Sequence, residues 1–155
     1  QYSLPEPRMN AGRDLAGVRS CLLDSVHAAQ GRGCAPGILG VCIGGDRGSG
    51  WAESKRQLLR CLEDTNEDPR LAELEQQVTR ESNLLDIGPM GFGGRTTLLG
   101  TKIGNLHRIP ASYFVTVSYM CWACRRYTAD VDGSGNLLGY RPYRARCCAE
   151  AVSNL

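Results

Sequence analysis

The stretch GILGVCI, residues 37–43, constrains the fold more than any other part of the chain. It is apolar at consecutive positions, too short for a buried helix, and set among glycines. Such a run suits a strand buried on both faces, which requires other layers to cover it. Helical patterns on either side supply those layers. After Asp14, a candidate N-cap, Leu15, Val18, Leu22, Val26 and Ala29 recur at helical spacing, and Gly31 supplies a stop. A second helix is expected from about Trp51 to Leu62, burying Leu58, Leu59 and Leu62. Asp68-Pro69 opens a third, carried by Leu71, Leu74, Val78 and Leu85 and ended by Gly88-Pro89.

The other segments complete the order. Residues 1–12 read as an extended arm, because Pro5 and Pro7 forbid regular helix. GPMGFGGRTTLLG is too glycine-rich for a regular element and reads as a loop that approaches something closely. Tyr113 to Met120 alternates as a strand, and VDGSGNLLGY reads as a hairpin around Gly133 and Gly135. The sum is a mixed α/β (α+β) fold, a layered domain with a small mixed sheet flanked by amphipathic helices, over residues 1–155.

Bulk properties exclude several classes. With 42% apolar and 22% charged residues the chain is globular in composition. A net charge of +2 gives no reason to expect nucleic acid or an anionic membrane surface. The apolar runs fall short of a membrane span, and QYSLPEPRMN is too polar and proline-broken for a secretory leader. The first residue is not Met, which suggests a processed chain or a fragment. Eight cysteines accompany helices that supply their own core, so a secreted disulfide framework is not expected and a reducing cytoplasm is. Cys21, Cys42 and Cys61 sit inside apolar patterns as small hydrophobes.

Several motifs fail on spacing. GGRTT resembles the end of a phosphate loop, but Pro89 stands where its first glycine belongs and Arg95 replaces the lysine. No G-x-G-x-x-G follows the buried strand. Asp130 to Gly135 begins like a calcium loop, yet Arg141 falls where a bidentate glutamate is needed. Cys121-x-x-Cys124 leaves three readings open: half of a zinc site, a redox dithiol, or core packing. Zinc would need the adjacent Cys147-Cys148 pair, which offers poor tetrahedral geometry. A thioredoxin-like fold would place the dithiol on its first strand–helix unit, not near the C-terminus. Cys34 lies on a glycine-flanked turn just before the buried strand. Together with Cys121 at the end of another strand and the GPMGFGGRTT loop between, it suggests a cavity lined by thiols and arginines.

CAPGILGVCIGG, LLDIGPMGFGGRTTLLGTKI and PASYFVTVSYMCWACRR resemble the iron–sulfur hydro-lyases of the class I fumarate hydratase and L(+)-tartrate dehydratase type. The resemblance runs from about residue 9 to 128 and matches the latter half of the α subunit, or N-terminal domain. It implies a [4Fe–4S] cluster held by three cysteines with one iron open to substrate. Two of the ligands fall on Cys34 and Cys121, and the third lies upstream of this chain. Cys124 stands where the family has a small or apolar residue and is a bystander. Arg95, Arg125 and Arg126 become candidates for gripping substrate carboxylates, with surface ion pairs as the other reading for the last two. Gly93 and Gly94 would let backbone approach cluster or substrate. The family's substrate-contacting histidine aligns with Ile109, leaving His107 as the nearest candidate on the same side of an extended segment, with a capped surface histidine as the equal reading. The implied activity is reversible dehydration of a four-carbon hydroxy-dicarboxylate, of fumarate/malate or tartrate/oxaloacetate type. A base from a β subunit or C-terminal catalytic domain would complete the site, in an oligomer. The alternatives are a non-catalytic assembly module of the same fold and a C-x-x-C thiol oxidoreductase.

Overall fold

The computed structural model describes residues 1–123 and 127–142. Nine elements of helix and strand are named here in chain order: β1 (Tyr2–Ser3), α1 (Leu15–Ala29), β2 (Gly37–Gly45), α2 (Arg47–Gln57), α3 (Pro69–Asn83), β3 (Leu98–Arg108), β4 (Phe114–Cys121), β5 (Tyr127–Val131) and β6 (Leu137–Pro142). Four strands form one sheet in the order β1-β4-β2-β3, and β5 and β6 form a separate hairpin. Strand β2 is central, parallel to β3 and antiparallel to β4. Its side chains are buried along almost its whole length, as the unbroken apolar run requires.

The two faces of the sheet are built differently. Leu39 and Val41 of β2, Val115 of β4 and Ile103 of β3 join the main core with Leu22 and Val26 of α1 and Leu71, Leu74 and Val78 of α3. The opposite face is lined by small residues, which let α2 lie unusually close. A Cβ on Gly40 would fall 2.1 Å from the Ser54 carbonyl oxygen of α2. Beside it, the Ser54 and Ser118 hydroxyls share a buried 2.7 Å hydrogen bond.

Both long helices start where their caps predict. Asp14 accepts the Gly17 amide at 2.7 Å, and Asp68 accepts the Arg70 amide at 2.9 Å ahead of Pro69. Helix α2 begins at Arg47, not near Trp51, because Asp46 and Ser49 form a reciprocal capping box upstream of Trp51. It also ends early: Leu58 is buried, but Leu59 is 53% exposed. Leu85 lies past the end of α3 and is 37% exposed. The N-terminal arm is tied down, with Leu4 buried and its amide donating to the Tyr113 carbonyl at 2.8 Å.

The largest departure from expectation is β3. The stretch GPMGFGGRTTLLG does form a loop at first, but Leu98 enters a strand that runs to Arg108. Strand β3 borders the sheet, and its outer backbone is satisfied by side chains instead of another strand. Asn83 Oδ1 accepts the Thr97 and Leu98 amides at 2.7 and 2.8 Å. Farther along, buried Glu75 accepts the Ile103 amide at 2.7 Å, and the Asn66 side chain donates to the Ile103 carbonyl at 2.7 Å. These contacts block edge-to-edge pairing along this part of the strand. Around them, Arg60 bonds Asp64 and Glu75, and the nearly buried Lys102 ammonium bonds Asp64 at 2.6 Å. Burial alone would raise the Asp64 carboxyl, but hydrogen bonds from Arg60 and Lys102 outweigh it and hold the carboxyl below its ordinary range.

Candidate functional site

The turn carrying Cys34 and the end of β4 carrying Cys121 run side by side. Gly37 is paired directly with Cys121 across the β2–β4 ladder. One residue on, the Trp122 amide donates to the Pro36 carbonyl at 3.1 Å. Cys34 itself has left-handed backbone, φ 57°, and its amide closes a tight turn onto the Gly31 carbonyl at 3.0 Å.

The glycine-rich loop reaches back to this turn. The Met90 amide donates to the Ala35 carbonyl at 2.9 Å, and the Cys34 thiol donates to the Met90 thioether sulfur at 3.3 Å. Met90 is also left-handed, φ 56°. Two non-glycine residues in this region therefore meet at one point, each costing roughly 1–3 kcal/mol of backbone strain that the surrounding contacts must offset. Strain of that kind concentrates at functional sites. Cys121 Sγ accepts the Ala123 amide at 3.4 Å. Tyr119, two residues before Cys121, lies on the same face of β4. Burial first, and then the charges of Cys121 and Cys34, push its hydroxyl above the ordinary phenol range.

The remaining thiols differ. Cys21 and Cys42 are fully buried, and burial followed by neighbouring carboxylates pushes each up to about 11, so neither is a nucleophile or ready ligand. Cys61 departs from the packing expected of it: it is only half-buried, and its thiol donates to Glu63 at 2.8 Å.

Of the other residues singled out from sequence, Gly93 and Gly94 sit in the loop with φ of 90° and 130°. The Gly93 amide donates to the Ile87 carbonyl and the Gly94 amide to Asp86 Oδ1, which folds the loop back on itself. Arg95 follows, exposed. Cys124, Arg125 and Arg126 lie outside the described residues. His107 lies away from the thiol end within this chain. It is exposed near the end of β3, where Arg108 pairs with Gly45, whereas the thiols flank the Gly37 end. At about 3.3 Å per residue the two ends of β2 lie roughly 26 Å apart. Ile109 lies beyond His107, at the same far end, and is 46% exposed. Met90 and Tyr119 were missed by sequence reasoning. The shared face of positions 119 and 121 was a usable signal for Tyr119; nothing in the local pattern marked Met90.

Asp132 also resolves one motif. Its carboxylate accepts the Ser134 and Asn136 amides and the Asn136 side chain, closing the hairpin turn in place of a calcium loop.

As a metal site, the thiol end supplies soft sulfur donors on adjacent segments, the type that suits iron–sulfur chemistry. Among the described residues no group of three or more His, Cys, Asp or Glu converges to hold an ion. Cys34 and Cys121 alone do not make a complete ligand set among the described residues.

Comparison with known proteins bears on this geometry. A family model described as fumarate hydratase (Fumerase) matches residues 5–130. The chain is 53% identical to a putative class I fumarate hydratase of Geobacillus stearothermophilus over 135 residues, covering 85% of this chain and 26% of that protein. It is 33% identical to a putative L(+)-tartrate dehydratase subunit alpha of Methanocaldococcus jannaschii, covering 72% of this chain and 39% of that one. An L(+)-tartrate dehydratase subunit alpha of Escherichia coli is 31% identical, covering 74% and 38%. The chain thus spans between a quarter and two-fifths of the length of these relatives.

Proposed function

The chain belongs to the fumarate hydratase (Fumerase) family, and on that premise we propose that it is part of an iron–sulfur hydro-lyase. The reaction is reversible dehydration of a four-carbon hydroxy-dicarboxylate, of fumarate/malate or tartrate/oxaloacetate type. Cys34 and Cys121 hold a [4Fe–4S] cluster, with a third cysteine supplied by another segment. When bound, the cluster supplies a Lewis-acidic iron at the thiol end of the sheet.

The observation that carries this reading is the pairing of the two cysteine-bearing segments through Gly37–Cys121 and Pro36–Trp122. Residues 87 apart in sequence have no local reason to share one end of a sheet, and the ladder puts them there. The chain's own residues then have distinct tasks. The Ala123 amide orients the Cys121 sulfur, and Met90 holds the Cys34 turn. Arg95 offers paired N–H groups to a substrate carboxylate, with Arg125 and Arg126 as further candidates by sequence. Gly93 and Gly94 keep side chains out of the path by which substrate comes close. The proton on the adjacent carbon is removed by a base on a β subunit or C-terminal domain, within a cytoplasmic oligomer.

The test is a dehydratase assay. This chain, joined to the segments that complete its relatives and reconstituted anaerobically with iron and sulfide, is offered malate, fumarate and tartrate. Turnover of one of them supports the reading; no turnover of any, in a sample that holds its cluster, refutes the assigned reaction.

A further inference from the structure

The two thiols share a neighbour that belongs to neither metal-ligand position. Gly37 stands directly opposite Cys121, and the space where its side chain would project is filled by the Tyr119 ring. A Cβ on Gly37 would fall 2.2 to 2.4 Å from Tyr119 Cε1, Cζ and the hydroxyl oxygen. The same ring reaches the other side of the Cys34 turn, where a Cβ on Gly33 would fall 2.7 Å from Cε1. One aromatic side chain therefore rests on both glycines that bracket Cys34-Ala35-Pro36, while growing from the strand that ends in Cys121. An aromatic ring laid over a cross-strand glycine is a recognised way of fixing local strand geometry. Here it also fixes what is attached to each strand.

We propose that Tyr119 is a positioning residue for Cys34 and Cys121: its ring is the spacer that holds the Cys34 turn against the end of β4 and sets the separation of the two thiols. The inference rests on the reading that both cysteines serve one centre. The bulk of the ring carries the role, so phenylalanine should replace tyrosine and leucine should not. The glycines are the counterpart. Alanine at position 33 would push the turn off the ring without altering the ring itself.

The test uses the full chain with Cys61, Cys124, Cys147 and Cys148 replaced by serine, so that Cys34 and Cys121 are the reactive thiols and Cys21 and Cys42 stay buried. The probe is o-phenylenedimaleimide. Each thiol adds its S–H across one maleimide double bond, and the bridged product is counted by mass spectrometry. Bridging is expected in this background and in Y119F. In Y119L and G33A its initial rate should fall by roughly ten- to a hundredfold, since a displacement of about 1 Å can cost on the order of 10²-fold in a proximity-dependent reaction. Circular dichroism checks folding. An undiminished rate in folded Y119L and G33A overturns the proposal, as does a background that never bridges, or a Y119F loss as large as that of Y119L. If Y119L does not fold, G33A alone decides. A background that bridges yet takes up no iron and sulfide, once joined to the segments its relatives carry, leaves the positioning role standing and removes the cluster reading.

Discussion

Replacing Glu75 by alanine should be among the most damaging single changes in this chain, and the structure says by how much. Glu75 Oε1 accepts hydrogen bonds from Arg60 Nη1 at 2.9 Å, Asn66 Nδ2 at 2.8 Å and the Ile103 amide at 2.7 Å. The residue is 5% exposed, so water cannot take its place freely. Truncation would strand a backbone donor on the border of the sheet and leave Arg60 and Lys102 short of a counter-charge. Breaking a buried charge pair by removing one partner costs about 3–5 kcal/mol. With a urea slope of about 2 kcal/mol per molar, the midpoint should fall by roughly 1.5–2.5 M. Glu75→Gln keeps an acceptor and loses the charge, so it should cost about 1–2 kcal/mol, the difference between charged and neutral hydrogen bonds. Urea titration followed by circular dichroism measures both, and amide exchange at Ile103 should accelerate in the alanine variant. A loss below about 0.5 kcal/mol, the range of ordinary surface substitutions, would refute the view that Glu75 serves as the missing neighbour of β3.

Gly40→Ala places a methyl 2.1 Å from the Ser54 carbonyl and forces α2 away from the sheet. Overpacking of this kind costs about 1–3 kcal/mol, read as a lowered thermal midpoint. Asp68→Ala removes the cap of α3 and should cost about 1 kcal/mol by the same measurement. Stability should also fall at both ends of the pH scale. The depressed Asp64 carboxyl stabilises above its unfolded value near 4 and loses that contribution as pH drops through its lower folded value. The raised thiols of Cys21 and Cys42 stabilise below the unfolded value of about 8.5, and lose their contribution as pH rises through about 11. Midpoints measured across the pH range check both limbs, and Cys21→Ala with Cys42→Ala should flatten the alkaline one.

What could be read in advance follows from where the physics is local. The caps at Asp14 and Asp68 and the unbroken run of β2 act within a few residues, so α1, α3 and the central strand were legible. Strand β3 was not. Its buried positions include Thr101 and Lys102, held by partners on α3 and at Asp64 that no window of sequence reveals. The early start of α2 was hidden by Gly48 and Gly50, which look like loop until the Asp46 capping box and the close approach to the sheet are known. At the thiol end the family motifs pointed to Cys34 and Cys121, and the register set the two segments together. They could not place His107, because its distance from that end depends on the parallel register of β3, a strand hidden from the sequence. Met90 and Tyr119 act through contacts across 56 and 86 residues, and only the folded chain brings them in.

The central claim is that Cys34 and Cys121 serve one inorganic centre. Its most direct measurement is iron and sulfide content per chain, with the accompanying visible absorption, after anaerobic reconstitution of the chain joined to the segments its relatives carry. Wild type and Cys42→Ser should take up a full cluster, and Cys34→Ser and Cys121→Ser should each lose most of it. Full uptake in either of the last two variants would contradict the account.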